Sequence, residues 1–282
     1  MNVREPVVSG RFYPDEPTEL YQMIRQCYEH RLGVRDRHHS KAGRLAGVIV
    51  PHAGYVFSGP VASWSFRRLG DENPAPKRLL MLGPKHTPYG ATAALSAEDT
   101  WMTPLGSIEI DEPLRSALEQ TGVFTRDDSA HAFEHSIEVQ IPFVQQVMHA
   151  ALPKIVPLAL GFADHARCEQ WGAAIAGVLA KPEFADTVCI VSSDFSHETP
   201  RDEAYRIDGE ALDVILSLDA KAFHEMVVGQ DRSICGVIPI TTFLASLKGR
   251  NVRATKLAYA TSMDVMAHPR GVGYASVIFE NI

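Results

Sequence analysis

Short apolar runs rich in branched residues alternate along this chain with longer stretches of helical spacing, and that alternation restricts the fold more than any other feature. The runs fall at Ala46–Val50, Leu79–Leu82, Ile155–Leu160, Val188–Val191, Leu257–Ala260 and Tyr274–Phe279, with Gly, Pro or Ser at their borders, as strands require. Between most of them lie Pro60–Leu69, Glu112–Gln120, Ser136–Ala151, His165–Leu179, Asp202–Leu218, Ala220–Val228 and Val237–Leu247, which carry helical spacing. Strands apolar on both faces and separated by helices predict an α/β fold: a central, mostly parallel β-sheet flanked by helices on both faces. A hairpin around Thr92–Leu95 and Ser107–Ile110 interrupts the alternation and is expected as an edge addition. No repeat, low-complexity segment or linker divides the 282 residues, of which 45% are apolar, so one domain spanning 1–282 is expected.

Charge and cysteine usage narrow the function classes. A formal net charge of −7 argues against nucleic acid or a membrane surface as partner, since neither attracts an acidic protein without a separate basic patch. The basic cluster from Arg31 to Lys41 carries few apolar residues and reads as a solvated loop. Met1 to Pro14 has charges and prolines where a signal peptide would have its apolar core, and no apolar run approaches membrane-spanning length, so the cytoplasm is the expected location. Cysteines at 27, 168, 189 and 235 show no CxxC pairing, which disfavours a disulfide framework or a zinc ribbon. Any cysteine with a chemical role therefore acts alone.

Three strands run into loops that carry histidine, and in an open α/β sheet ligands bind beyond the carboxyl ends of the strands. The loops are Pro51-His52-Ala53-Gly54-Tyr55, Gly83-Pro84-Lys85-His86 and Ser192-Ser193-Asp194-Phe195-Ser196-His197. Gly and Pro beside a polar side chain allow the sharp turn that holds it over the sheet, although each histidine alone is also compatible with a capped or solvated loop. A fourth piece is Ser233-Ile234-Cys235-Gly236 before the apolar helix Val237–Leu247. A cysteine at a helix N-terminus is expected as a thiolate, the form that binds metals. Cys27, Cys168 and Cys189 fall inside helix or strand patterns and read as small buried hydrophobes. In His131-Ala132-Phe133-Glu134-His135-Ser136-Ile137-Glu138, His135 and Glu138 are three apart and could share a helical face. The segment lacks HExxH spacing, and it reads either as a wall of the site or as plain helix capping.

Together these motifs resemble the Memo family, component B of the AmmeMemoRadiSam system, which is similar in fold to the class III extradiol ring-cleaving dioxygenases. The resemblance runs from Arg4-Glu5-Pro6-Val7-Val8-Ser9-Gly10-Arg11-Phe12-Tyr13-Pro14 through the three histidine loops and Glu134-His135-Ser136-Ile137-Glu138 to Ile234-Cys235-Gly236 and Val272–Phe279. It implies His52, His86 and Cys235 as ligands of one metal. It also implies His197 as an acid/base group, Asp194 as a catalytic neighbour, and His135, Glu134 and Tyr55 as lining of a substrate pocket. The ring-cleaving relatives have a glutamate where this chain has Cys235. A thiolate widens the metal choice from Fe(II), the first candidate, toward Cu or Zn.

The reading that follows is a metal-dependent redox enzyme acting on an unassigned small molecule or peptide, with oligomer formation left open. Two alternatives stand beside it: a Memo-type module that binds metal or phosphopeptide without turnover, and a zinc-dependent hydrolase. The resemblance further implies a functional link to AMMECR-type and radical SAM proteins.

Overall fold

The computed structural model describes residues 2–35 and 43–282. The basic cluster expected as a solvated loop falls for the most part at 36–42, outside the described residues. In chain order the elements begin with β1 (Val3–Arg4), α1 (Pro17–Glu29), β2 (Arg44–Val50), α2 (Tyr55–Gly70) and β3 (Arg78–Pro84). Next come β4 (Ala93–Leu95), β5 (Thr100–Thr103), β6 (Gly106–Glu109), α3 (Glu112–Glu119) and β7 (Thr125–Arg126). A short helix α4 (Ile141–Val147) leads to β8 (Lys154–Leu160), α5 (His165–Leu179), β9 (Thr187–Ser192), α6 (Arg201–Leu216), α7 (Ala220–Gly229) and α8 (Val237–Ser246). The described chain closes with β10 (Val252–Thr261), α9 (Ser262–Val265) and β11 (Gly273–Asn281).

Eight strands form one sheet in the order β10-β11-β2-β9-β3-β8-β4-β7. The sheet is mixed rather than strictly parallel. Its centre, β2-β9-β3-β8, is parallel, whereas β11 runs antiparallel to both β10 and β2, and β4 antiparallel to β8. The expected hairpin forms with a different partner. Gly106–Glu109 folds back on Thr100–Thr103, and with β1 these make a separate three-stranded sheet, while Ala93–Leu95 joins the large sheet beside β8. The turn sequence Thr103-Pro104-Leu105-Gly106 sits too close to Ser107 for the more distant segment to pair first.

Each central strand feeds two cores because successive side chains point to opposite faces. Leu80 and Leu82 of β3 pack with α3 and α5 to α8 on one side; Leu79 and Met81 pack with α1, α2 and α4 on the other. Burial on both faces is what makes these strands read as unbroken apolar runs. The thickness of each core comes from aromatic packing such as Phe66 on Phe143, stacked at 4.8 Å, and each fully buried aliphatic side chain contributes roughly 2 kcal/mol. Among the described residues no helix is long and apolar enough to cross a membrane.

Candidate metal centre

The strand order sets the site. β9 lies between β2 and β3, so three parallel strands end side by side and their loops rise from one rim. His52 and His86 each follow the last residue of their strand by two positions, and Ser193 to His197 leave β9 between them. The turn ahead of α8 closes over this rim from outside. Gly236 makes the closure possible: a Cβ there would fall 2.2 Å from Ser193 Cβ, whereas its bare backbone N–H donates to Ser193 Oγ at 3.1 Å. Gly83 has the same function under His86, since a Cβ would meet Ser136 Oγ at 2.5 Å.

His52, His86 and Cys235 present one donor atom each, all within 4.8 Å of one another. The sulfur of Cys235 lies 3.2 Å from His52 Nε2. Each imidazole is held from its other nitrogen: His52 Nδ1 is 2.7 Å from Ser192 Oγ, and His86 Nδ1 is 2.9 Å from Glu134 Oε1. Glu134 also accepts the backbone N–H of His86 at 2.5 Å and those of His135 and Ser136 at 2.9 Å. The ring of His135 stacks on His86 at 4.8 Å and meets His52 edge-on at 5.4 Å. Its outer face carries Phe12 at 4.7 Å. A second group, His86, Glu134 and His135, satisfies the same distance limit. The carboxylate of that group is already taken up by four N–H donors.

Electrostatically the site favours neutral donors until a cation enters. Burial, and after it the neighbouring His86, His135 and His197, hold His52 well below the ordinary histidine range. His135 is pushed down to about 4, mainly by burial. Cys235 is half-buried as a residue, yet its sulfur sits among His52 and the backbone of Asp194. Burial and then the Asp194 carboxylate raise the thiol well above its usual range, outweighing the Asp194 and Gly236 amides. The expectation of a thiolate favoured by the helix terminus is therefore corrected: Cys235 precedes Gly236, the residue that caps α8, and charge on its sulfur needs a cation nearby.

The other residues singled out from the sequence divide by position. His197 joins neither donor group. Its Nδ1 is 2.8 Å from the carbonyl of Ser233, which leaves Nε2 free, and its field reaches both His52 and Asp194. Asp194, only 4% exposed, accepts the backbone N–H of His52 at 2.7 Å while its own N–H donates to Cys235 Sγ at 3.2 Å. It thus ties two donor loops together, and burial pushes its carboxyl up to about 6 against the pull of the His52 and Ala53 amides. Two expected pocket residues are corrected. Tyr55 is 2% exposed in the core beside Tyr13 and Phe143, with its hydroxyl donating to the carbonyl of Val139 at 2.6 Å. Glu134 is enclosed beneath His86 and acts on that ring, not on a pocket.

The shared helical face of His135 and Glu138 is corrected as well. Glu138 begins a 3-10 turn, and its carboxylate faces away to Arg4 and Tyr13. Sequence reasoning missed Ser192 and Gln140 behind His52 and Phe12 against His135. The first two stand at a strand end and in a helical pattern, where a polar residue at an apolar position was the available signal.

The sequence model of the family described as Memo-like protein matches residues 4–278. A MEMO1 family protein of Methanopyrus kandleri is 40% identical over 281 residues, covering 98% of each chain. One of Methanococcoides burtonii is 37% identical over 277 residues, or 98% of this chain and 99% of the relative. One of Saccharolobus islandicus is 36% identical over 282 residues, with the same shares covered. In fold, the chain is similar to the crystal structure of an uncharacterized protein from Escherichia coli K12. That match has a TM-score of 0.57 at 14% identity and covers 83% of this chain and 99% of the other.

Proposed function

This chain belongs to the Memo-like family, and from that membership and the geometry above we propose that it is a metal-dependent redox enzyme whose metal is held by His52, His86 and Cys235. The observation that carries the reading is the meeting of two imidazoles and a thiol with one donor atom each within 4.8 Å, each imidazole also being held through Nδ1. An imidazole nitrogen 3.2 Å from a sulfur, with a second imidazole beside them, forms a donor set for a transition metal, and outer partners on Nδ1 are the usual means of fixing such ligands. The donors fit one ion. Fe(II) is the first candidate, on the likeness to the ring-cleaving enzymes, and Cu or Zn are the alternatives that a thiol donor favours. When bound, the ion supplies Lewis acidity and, for iron or copper, electron transfer.

The chain's own residues supply the rest. His197 keeps Nε2 free to take a proton from a substrate hydroxyl, because Ser233 holds its Nδ1 side. His135 is neutral at pH 7 and can accept a hydrogen bond but carries no charge into the site. Asp194 locks the two donor loops in register and stays out of the open space. The substrate is a small molecule or peptide, and the link to AMMECR-type and radical SAM proteins belongs to the same proposal.

Metal analysis of protein purified without oxygen tests the reading. One iron per chain, lost in His52→Ala and His86→Ala and changing its spectrum on exposure to oxygen, is the expected result. Stoichiometric zinc that oxygen leaves unchanged would move the assignment to a hydrolase. A folded protein that takes up no metal would leave a binding module.

A further inference from the structure

We infer that Ser192 and Gln140 are positioning residues that fix the tautomer of His52, so that its Nε2 lone pair, and not an N–H, faces Cys235. The inference rests on the reading of the metal centre for its purpose but not for its evidence, which is the direction of each hydrogen bond in an enclosed chain of groups.

Gln140 Nε2 lies 3.0 Å from the carbonyl of Pro51 and 3.3 Å from that of Ser136. Two carbonyls can only accept, so the amide nitrogen must face them, and the side chain cannot be flipped. Of its two hydrogens, one goes to Pro51 and the other to Ser192 Oγ, both at 3.0 Å, while the more distant Ser136 carbonyl shares one of them. Ser192 Oγ is in turn 2.6 Å from the carbonyl of Ser136, which again can only accept, and this contact uses the single hydroxyl proton. With one lone pair facing Gln140 and the proton on Ser136, Ser192 has only its second lone pair left for His52 Nδ1 at 2.7 Å. Nδ1 must therefore carry the hydrogen. Gln140 and Ser192 are both 1% exposed, so their partners lie within the protein.

The control lies in the same molecule. His131 has the opposite nitrogen against a carbonyl, Nε2 on Ala94 at 2.9 Å, and so carries its hydrogen on Nε2. Burial alone thus does not choose a tautomer in this protein. The donor or acceptor placed beside the ring does. His86 reaches the Nδ1–H form by a different device, the Glu134 carboxylate. The two devices meet at Ser136, whose N–H donates to Glu134 and whose carbonyl takes the Ser192 proton.

The test is nitrogen-15 NMR of imidazole-labelled, metal-free full-length protein, followed by titration with Fe(II) without oxygen and with Zn(II). In the wild type, His52 should show a protonated Nδ1 and a bare Nε2. Ser192→Ala should give a mixture of tautomers and about 10- to 100-fold weaker metal binding. Ser192→Thr, which keeps the hydroxyl, should restore both. Gln140→Met should change the tautomer less than Ser192→Ala, because Ser192 still gives its proton to Ser136. A wild-type His52 protonated on Nε2 would overturn the inference, as would Ser192→Ala that leaves both tautomer and affinity unchanged. If Ser192→Ala does not fold, the wild-type spectrum alone decides. A wild type with the expected tautomer but no metal affinity would support the inference and defeat the metal reading.

Discussion

Two polar clusters flank the segment Glu134–Glu138, one through each of those carboxylates, and they differ in one respect that separates support from chemistry. Around Arg4, every strong group has a partner of opposite kind. Glu138, with 0% exposure, takes Arg4 Nη1 at 2.8 Å, Tyr13 Oη at 2.7 Å and the N–H groups of Val7 and Val8 at 3.0 Å. Arg4 spends its remaining N–H groups on the carbonyls of His131 and Glu134 and lies over the Trp101 ring at 4.0 Å. Around Cys235, by contrast, the donor atoms of His52, His86 and Cys235 converge on a common space, with the thiol hydrogen as the one proton the sulfur can offer there. A cluster that is complete within the protein has nothing left to bind. Two imidazoles and a thiol directed at one space form a donor set that a cation can complete.

The largest expected effect comes from breaking the complete cluster. Arg4→Met leaves the Glu138 carboxylate buried and short of a partner, and should lower unfolding stability by about 3–5 kcal/mol in urea denaturation. Metal content per folded chain should stay unchanged. Loss of metal with little loss of stability would erase the distinction between the two clusters.

Next in size is an acid dependence in the same cluster. Burial, and then the Arg4 guanidinium, push His131 down to about 4. A histidine whose folded value lies below its unfolded value of about 6.5 takes up its proton more readily when unfolded. Its contribution is fully present above about pH 6.5 and is lost as pH falls toward 4, in total roughly 3 kcal/mol. Asp194, raised to about 6, acts with the opposite sign in this window in the metal-free protein. The quantity to measure is therefore the difference between wild type and His131→Phe, which should shrink from pH 7 to pH 4. A pH-independent difference would remove the assignment.

Smaller again is the effect of removing the sulfur. Cys235→Ser should weaken metal binding about 100-fold, near 2.7 kcal/mol, while changing unfolding stability little. Equilibrium dialysis against the wild type checks the first part and urea denaturation the second. The smallest effect is its control: Cys189→Ser places a hydroxyl in the middle of β9 and should lower stability by about 1 kcal/mol with metal affinity intact. Equal metal loss in the two variants would contradict the site.

Much of this was readable in the sequence because its cause is local. Strands buried on both faces cannot avoid being unbroken apolar runs, and histidines beside Gly and Pro at strand ends mark the rim of an α/β sheet. The start of α1 was also readable in principle, from Pro17 and the inward spacing of Leu20, Ile24 and Cys27, but no strand pattern framed it. What escaped was set by distant partners. Glu138 looks like a capping acid until Arg4, 134 residues away, is placed on it. Tyr55 looks like part of the His52 motif, yet as the first residue of α2 it turns inward to a core that Tyr13 and Phe143 complete. The thiol of Cys235 escaped for the same reason: its surroundings are Asp194 and His52, not the helix that follows it.

The insertion of β9 between β2 and β3 has a consequence for how the protein is made. The two histidine-bearing strands leave the ribosome early, but neither is the other's neighbour, and they stay about 10 Å apart even in the finished sheet because one strand lies between them. Their loops acquire a fixed spacing only when residues 187–192 dock, and the sulfur arrives later still, at residue 235. The three donors can therefore meet only after most of the chain has been made.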